Sequence, residues 1–173
     1  GVNIPTGKDS LSMTQTYGDK KVYAPGTVII STVGEVTDFR KIVIPVLKND
    51  PATEIVYVDF SFDKLKLGGS SFAQILNKVG KEVPDVRDSE YFARAFTAIQ
   101  QLVDEGIVLA GHDISAGGMV TALLEMCFAD NRLGLDIDFS FLAEKDMIKI
   151  LFAENPGVLI QIADKDAKKV SAL

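Results

Sequence analysis

The chain has 173 residues, a net charge of −6 and 47% hydrophobic residues, so it can bury the core of one domain or of one domain and part of another. Lysine and arginine are interspersed with acids, which argues against a nucleic-acid partner. Cys127 is the only cysteine, and this excludes a disulfide scaffold and a cysteine-rich zinc site. No apolar run approaches the roughly 18 residues that span a bilayer, and the first residues lack a signal-peptide pattern. We therefore expect a soluble cytoplasmic protein without a membrane partner.

The first part of the chain is predicted to consist of strands. β-Branched and apolar patterns predict strands over 11–16, 26–36 and 41–47. The turn residues of 48–51, Lys-Asn-Asp-Pro, then mark the best candidate for a domain boundary. We expect two domains, residues 1–50 and residues 51–173, each truncated.

The second part mixes strands with helices. Apolar periodicity and turn residues predict, in chain order, strand 54–60, helix 71–79, a helix capped by Asp88 or Ser89 and ended by Gly106, strand 106–110, a helix from 119 to 127, strand 134–139, helix 141–148, a hairpin of strands 150–153 and 158–163, and a helix start after 164. This order favours the α/β (α+β) class, with a mixed sheet and helices packed on it.

The segment GHDISAGGM at 111–119 places an acid, a hydroxyl and a glycine pair where a predicted strand meets a predicted helix. The backbone N–H groups and the dipole of a helix start attract anions, glycines allow close approach, and a carboxylate there can bind magnesium. Asp113 and Ser115 are therefore candidate phosphate and metal ligands. Both residue types are also common helix N-caps, and spacing alone leaves the two interpretations open.

Gly7-Lys8-Asp9-Ser10 forms a second polar cluster. It does not meet the P-loop pattern GxxxxGK[ST], because Asp9 separates Lys8 from Ser10. A lysine can still contact a phosphate oxygen, while Asp and Ser can supply metal and hydrogen-bond ligands. A solvated turn is the alternative.

Four further features have less specific roles. The LGGSS segment at 67–71 offers hydroxyls that would cap a helix or contact a phosphate. His112, the only histidine, is interpreted as a structural hydrogen-bonding residue at a strand end, and a direct role beside the phosphates is the alternative. Glu125 is expected at the edge of a buried helix face rather than in catalysis, and Glu154, in the turn Glu-Asn-Pro-Gly, leaves the same two interpretations open.

Five segments in this order, IPTGKDSLSM, GTVIISTVGEVTDFR, LGGSSFAQ, VPDVRDSEYF and GHDISAGGMVTALLEMCFA, resemble the long-chain phosphoribosylformylglycinamidine synthase (formylglycinamide ribonucleotide amidotransferase) family. The resemblance covers essentially the whole chain and corresponds to the second half of the synthetase portion. It implies that residues 1–50 are the tail of a nucleotide-binding domain. Residues 51–173 would belong to the three-layer α/β/α C-terminal domain of the aminoimidazole ribonucleotide synthetase-like superfamily.

The resemblance also implies a function in purine biosynthesis. The whole enzyme is a ligase that uses ATP to convert formylglycinamide ribonucleotide and glutamine to formylglycinamidine ribonucleotide, ADP, phosphate and glutamate. Its ammonia comes from a glutaminase domain that this chain lacks. The chain alone is expected to be inactive, to act with the rest of a parent chain, and to self-associate. Two alternatives remain: a structural ADP- and Mg²⁺-binding or interaction module, and another ATP-dependent enzyme of the superfamily.

The motifs carry two sets of implied site residues. By this resemblance, Asp113 matches a Mg²⁺ ligand and Ser115 matches a nucleotide contact of a structural ADP site. The other ligands of that Mg²⁺ are expected upstream of Gly1. Ala116 stands where many relatives have Asp in HDxSDGG, which leaves the role of that acid unfilled.

The second set is the cluster near the start of the chain. Lys8 and Asp9 are implied as catalytic residues, and Gly7 and Ser10 as contacts to ATP and substrate.

Overall fold

A computed structural model describes residues 3–9, 12–24, 28–36, 38–130 and 132–172. The strands are β1 (Asn3–Asp9), β2 (Thr14–Tyr17), β3 (Lys20–Tyr23), β4 (Val28–Val33), β5 (Thr53–Asp59), β6 (Ala110–Asp113) and β7 (Gly157–Ala163). The α-helices are α1 (Ser71–Ile75), α2 (Ser89–Asp104), α3 (Gly118–Cys127), α4 (Met147–Phe152) and α5 (Ala167–Val170), and 3-10 turns lie at Phe39–Lys41 and Asp164–Asp166. The chain divides into two compact units, Gly1–Arg40 and Lys41–Leu173. None of the helices in the described ranges is long and apolar enough to cross a membrane.

The first unit consists of two antiparallel ribbons, β1 with β4 and β2 with β3. A two-residue turn at Gly18-Asp19 joins β2 to β3, and the positive φ of Gly18, 58°, suits such a hairpin. The predicted strand over 26–36 corresponds to β4, although it is shorter. The predicted solvated turn at 7–10 is wrong for residues 7–9, because they lie in β1. Ser10, Leu11 and Gly26 lie outside the described residues.

The second unit is built on a three-stranded sheet in the order β5-β7-β6, and both pairings are antiparallel. Asp59 pairs with Gly157, and Asp113 pairs with Val158. The carboxyl ends of β5 and β6 therefore meet the amino end of β7 at the same end of the sheet.

Helices cover both faces of this sheet because β7 is apolar on both sides. Leu159 faces a cluster that draws on α3 and α4, whereas Ile160 and Ile162 face a cluster that draws on α2 and α5. Alternation in β5 follows the same division, with Tyr57 on the first side and Val56 on the second. The predicted α/β class with helices packed on a sheet is confirmed, and the layers are helix, sheet and helix.

Local signals explain the two longest helices. Asp88 caps α2 by accepting hydrogen bonds from the backbone N–H groups of Glu90 and Tyr91, both at 2.9 Å. After Glu105, the chain turns at Gly106, which has φ 71°. In α3, the buried residues Met119, Leu123 and Met126 recur at helical spacing, as the sequence predicted.

Several predicted elements are wrong in type or position. The strand over 150–153 is absent, and those residues end α4, so there is no hairpin around 154–157. The helix predicted over 141–148 is misplaced. The helix in this region is α4, which begins at Met147, after its N-cap Asp146. The segments 41–47 and 134–139 do not form strands. The strand predicted over 106–110 is shifted, because β6 begins at Ala110, and the helix predicted over 71–79 is shorter, because α1 ends at Ile75.

The segment 41–47 lies along the outer edge of β6. The backbone N–H of Gly111 donates to the carbonyl oxygen of Ile44 at 3.2 Å, and a Cβ on Gly111 would lie 3.2 Å from a Val43 methyl group. The N–H of Leu47 donates to the carbonyl of Met126 at 3.1 Å. This segment therefore closes one side of the sheet without forming a regular strand.

Candidate functional site

Three connections converge at the end of the sheet where β5 and β6 finish and β7 starts. They are residues 60–70 after β5, residues 114–117 after β6, and residues 153–156 before β7. The two glycine-containing segments of the second unit that the sequence analysis identifies as helix starts, 67–71 and 111–119, both lie at this end of the sheet.

Asp113, the last residue of β6, and Ser115, in the connection that follows, both lie at the surface. The Asp113 side chain is 72% exposed, and Ser115 is also exposed. The backbone around them is fixed: the N–H of Ile114 donates to the Gly157 carbonyl at 2.8 Å, and that of Gly118 donates to the Ser115 carbonyl at 3.0 Å. The helix-capping interpretation of Asp113 and Ser115 is wrong, because the N-cap of α3 is Gly117 and neither of these side chains makes a capping hydrogen bond.

Gly117 and Gly118 are both required by the turn. Their φ angles are 93° and 74°, in the left-handed region that favours glycine. A Cβ on Gly117 would lie 2.2 Å from the hydroxyl oxygen of Thr121, and one on Gly118 would lie 2.7 Å from the Leu151 carbonyl oxygen. The start of α3 therefore packs directly against the end of α4.

Glu154 occupies the helix start that the sequence assigned to a phosphate. One oxygen of its half-buried carboxylate accepts hydrogen bonds from the backbone N–H groups of Gly117 and Ser71, both at 2.8 Å. A carboxylate is stabilised there by the positive ends of the helix dipoles. The same oxygen thus joins the starts of α1 and α3, and the N–H of Gly117 is already bound by an internal anion.

Asn155 extends this junction to the connection after β5. Its side chain, only 1% exposed, donates to the Ser61 hydroxyl and to the Lys64 carbonyl, both at 3.1 Å, and accepts from the Lys66 N–H at 3.1 Å. The Ser61 hydroxyl in turn donates to Asp59 at 2.6 Å. Buried polar groups are stable only when paired, and within the described residues no buried side-chain polar atom lacks a partner.

Asp63 lies in the same connection between two cations. Its side chain is fully buried, contacts the ammonium of Lys66, and lies 2.6 Å from Nε of Arg87. The hydrogen bond from Lys66, together with the Lys64 N–H and the charge of Arg87, lowers the pKa of Asp63. The negative charge therefore belongs to the packed loop and is not available to a ligand.

His112 and the LGGSS segment have structural roles, as predicted. Nδ1 of His112 lies 2.8 Å from the Asp113 carbonyl oxygen, and Nε2 lies 2.9 Å from a Glu125 carboxylate oxygen, which ties the end of β6 to α3. In LGGSS, the Ser70 hydroxyl accepts from the Ala73 N–H at 3.2 Å and donates to the Leu67 carbonyl at 2.7 Å. The capping interpretation of this segment is therefore confirmed.

The cluster Gly7-Lys8-Asp9 belongs to the first unit. Gly7 pairs with Ile30 and Lys8 pairs with Ile29, and a Cβ on Gly7 would lie 3.1 Å from the Ile29 carbonyl oxygen. The exposed Lys8 side chain extends from a strand. Its catalytic role, like that of Asp9, stays a prediction.

The donors at the end of β6 fit a magnesium ion that keeps most of its water. Mg²⁺ is commonly bound by one or two carboxylates plus phosphate oxygens, and the exposed Asp113 offers one carboxylate, two residues before the exposed Ser115. No three His, Cys, Asp or Glu residues converge into a metal site in the part of the chain that the structure describes. These residues suit a site in which phosphate oxygens and water supply most of the metal ligands better than a site in which protein side chains supply all of them.

Glu154 and Asn155 are the residues that sequence reasoning missed. The Glu-Asn-Pro-Gly composition is typical of a turn, so the sequence indicates no specific role for either side chain. Their partners lie 37 to 94 residues away in the chain, so no local pattern reveals them.

Residues 54–173 match the family described as AIR synthase related protein, C-terminal domain. The chain belongs to this family. It is 38% identical over 178 residues to a "Probable phosphoribosylformylglycinamidine synthase" of Caenorhabditis elegans, covering 96% of this chain and 13% of the relative. It is also 38% identical over 171 residues to the "Phosphoribosylformylglycinamidine synthase" of Homo sapiens, covering 98% of this chain and 13% of the relative.

Two solved structures share the fold of this AIR synthase family member. "Structure of PurLQS from Thermotoga maritima" has a TM-score of 0.50 at 21% identity and covers 83% of this chain and 22% of that chain. "T. maritima PurL complexed with ATP" has a TM-score of 0.50 at 22% identity, with coverage of 84% and 22%. The chain thus spans a small part of each protein it resembles.

Proposed function

We propose that this chain is part of a phosphoribosylformylglycinamidine synthase. The observation that carries the proposal is the 38% identity to two relatives of that name over nearly all of the chain. The parent would be a ligase that converts formylglycinamide ribonucleotide, glutamine and ATP to formylglycinamidine ribonucleotide, glutamate, ADP and phosphate.

In this proposal, the end of β6 holds one nucleotide of the parent enzyme. The Asp113 carboxylate would be a magnesium ligand, and the Ser115 hydroxyl would donate a hydrogen bond to a phosphate oxygen. Bound magnesium would neutralise the charge of the phosphates. Both side chains are exposed, which leaves them accessible to a ligand, and the Asp113 carboxylate lies 3.6 Å from Nδ1 of His112.

The cluster near the start of the chain would act in the reaction itself. The Lys8 ammonium would stabilise charge on the phosphoryl group that ATP transfers to the substrate amide. Gly7 would let ATP approach the backbone, and Asp9 and Ser10 would contact ATP or the substrate. Residues 1–50 would then be the tail of a nucleotide-binding domain, and residues 51–173 most of the following domain.

The proposed partners are the remainder of the parent chain and its glutaminase domain, which would supply ammonia for displacement of the phosphate. The cytoplasm is the proposed location, because purine precursors and ATP are available there. The 173-residue chain by itself would not complete the reaction, since it supplies only part of each proposed site.

The test is an assay of the full-length protein that carries this sequence, with formylglycinamide ribonucleotide, ATP and glutamine. We expect formylglycinamidine ribonucleotide and one ADP per turnover, and no turnover by the 173-residue chain with ammonia in place of glutamine. Asp113→Asn should weaken ADP binding in the presence of Mg²⁺ by at least about tenfold, because a neutral amide is a poorer magnesium ligand. A full-length protein that makes no product, or an Asp113→Asn variant with unchanged ADP affinity measured by calorimetry, would overturn the corresponding assignment.

A further inference from the structure

We infer that Glu154 is a positioning residue for the nucleotide site, and that it acts by fixing the turn that presents Asp113 and Ser115. The inference rests on the proposed function of those two residues. It assigns a role to a side chain that has no contact with the proposed ligand and whose partners are all backbone groups.

The turn between Asp113 and α3 is held at both of its ends. At the first end, the Ile114 N–H donates to the Gly157 carbonyl, which extends the pairing of β6 with β7. At the second end, the Gly117 N–H donates to Glu154 at 2.8 Å. Ser115 lies between these two anchors, and its exposed side chain is directed by the backbone they fix.

The second anchor is needed because two consecutive glycines give the backbone of the turn access to many conformations. Gly117 and Gly118 adopt positive φ angles of 93° and 74°, and glycine visits many other conformations at little cost. The N-cap of α3 is Gly117, which has no side chain with which to cap the helix itself. The hydrogen bond to Glu154 joins the packing of Gly118 against α4 and the Gly118–Ser115 backbone hydrogen bond in favouring one conformation of this glycine pair.

Glu154 is itself placed by the surrounding backbone. It follows the end of α4, which packs against Gly118, and it precedes the buried Asn155. Phe152 also stacks on Phe72 of α1, with ring centroids 4.6 Å apart. The carboxylate can therefore reach Ser71 and Gly117 from a fixed position. Because the pairing of β6 with β7 already holds Asp113, the position of Ser115 relative to Asp113 is what depends on Glu154.

The experiment measures the affinity of the full-length protein for ADP with Mg²⁺, by calorimetry after removal of bound nucleotide. Glu154→Ala should weaken binding about tenfold, as loss of an outer support of a metal site does. Glu154→Gln keeps an acceptor oxygen of the same reach and should bind within about threefold of the unmodified protein. Glu154→Asp keeps the charge but is one methylene shorter, and it should also bind more weakly.

Asp88→Ala is the matched control. Asp88 accepts two backbone N–H hydrogen bonds at the start of α2, just as Glu154 accepts two at the starts of α1 and α3. Both alanine variants should lower the midpoint of thermal unfolding, but only Glu154→Ala should lower ADP affinity. If Glu154→Ala does not fold, Glu154→Asp and Glu154→Gln carry the comparison.

Two results separate this inference from the proposed function. If Asp113→Asn loses ADP affinity while Glu154→Ala and Glu154→Asp keep it, the inference is overturned and the proposed nucleotide site stands. If Asp113→Asn keeps its affinity, the proposed site is overturned, and the inference with it.

Discussion

A buried carboxylate between two cations shows how single residues stabilise the connection after β5. Asp63 has no exposed side-chain surface, and its partners Lys66 and Arg87 come from residues on either side of α1. Removing one partner of a buried charge pair leaves the other without compensation. The contact with Arg87 also ties the segment before α2 to the connection after β5.

Asp63→Asn should lower the midpoint of thermal unfolding at pH 7. Because contacts with Lys66 and Arg87 lower the pKa of Asp63, its stabilisation is present above the ordinary aspartate pKa of about 3.9 and is lost as pH falls through the lower folded-state pKa. The difference between variant and unmodified chain, followed by circular dichroism, should therefore be constant from pH 7 to about 5 and shrink below about pH 4.

Asp130→Asn provides the comparison. Asp130 also has a lowered pKa, mainly because of a hydrogen bond from Arg132, but this pair is local and lies at the surface. Its replacement should change the midpoint less than that of Asp63, since surface ion pairs contribute little. Equal effects of the two substitutions would contradict the importance assigned to the buried cluster.

At the scale of elements, the close packing of α3 on the end of α4 fixes the geometry of the candidate site. Gly118 lies so near this segment that a Cβ would be 2.7 Å from the Leu151 carbonyl and 2.8 Å from backbone atoms of Phe152. Glu154 follows two residues later. The spacing of two helices therefore determines whether its carboxylate reaches Gly117.

Gly118→Ala should be more destabilising than Gly106→Ala. Both glycines have positive φ, 74° and 71°. An alanine at either position would adopt a left-handed backbone conformation, which lowers the free energy of unfolding by roughly 1–2 kcal/mol. Only Gly118 has neighbours that a methyl group would meet, since nothing lies within 4 Å at Gly106. We expect an additional loss of about 1–3 kcal/mol from overpacking, measured by urea unfolding. Equal losses would show that α4 can move away from α3 at little cost.

The elements predicted correctly from sequence are those with strong local signals. The helix after Asp88 has a cap, an apolar face and a terminating glycine, and β5 and β7 are apolar runs bounded by turns. The errors arose where local signals conflict. The apolar residues Ile150 to Ala153 suit either a strand or a helix, and packing on α3 decides for α4.

The candidate site was predictable only in part. The exposed Asp113 and Ser115 stand out by motif, whereas the role of Glu154 depends on contacts with Ser71 and Gly117 that form only when the chain has folded. Residues 134–139 illustrate the opposite error. Their alternation suggested a strand, but Ile137 and Phe139 pack on the core without a pairing partner within the described residues.

At the scale of the whole molecule, the buried apolar residues of the described chain belong to the second unit. Both hydrophobic clusters are formed by residues between Leu47 and Val170. The described strands of the first unit pair only as two-stranded ribbons, and the side chains of β2, β3 and β4 are exposed. Such ribbons are marginally stable in water. The two units therefore differ greatly in the amount of core that stabilises them.

Residues 41–173 should fold without residues 1–40. We expect a cooperative thermal transition of the shortened chain with a midpoint within about 5 °C of that of the 173-residue chain, because each kcal/mol shifts the midpoint of such a domain by only a few degrees. Differential scanning calorimetry of both proteins measures this. A shortened chain without a cooperative transition would show that the first unit contributes to the folding of the second.

The segment 41–47 also has a consequence for how the sheet can grow. By taking the Gly111 N–H, it shields the β6 side from further pairing, whereas the far side of β5 has no neighbouring strand within the described residues. An unpaired strand edge is a template for association with another strand. A further strand can therefore extend this sheet only by pairing with the free edge of β5. This holds whether that strand comes from the same polypeptide or from another molecule in an aggregate.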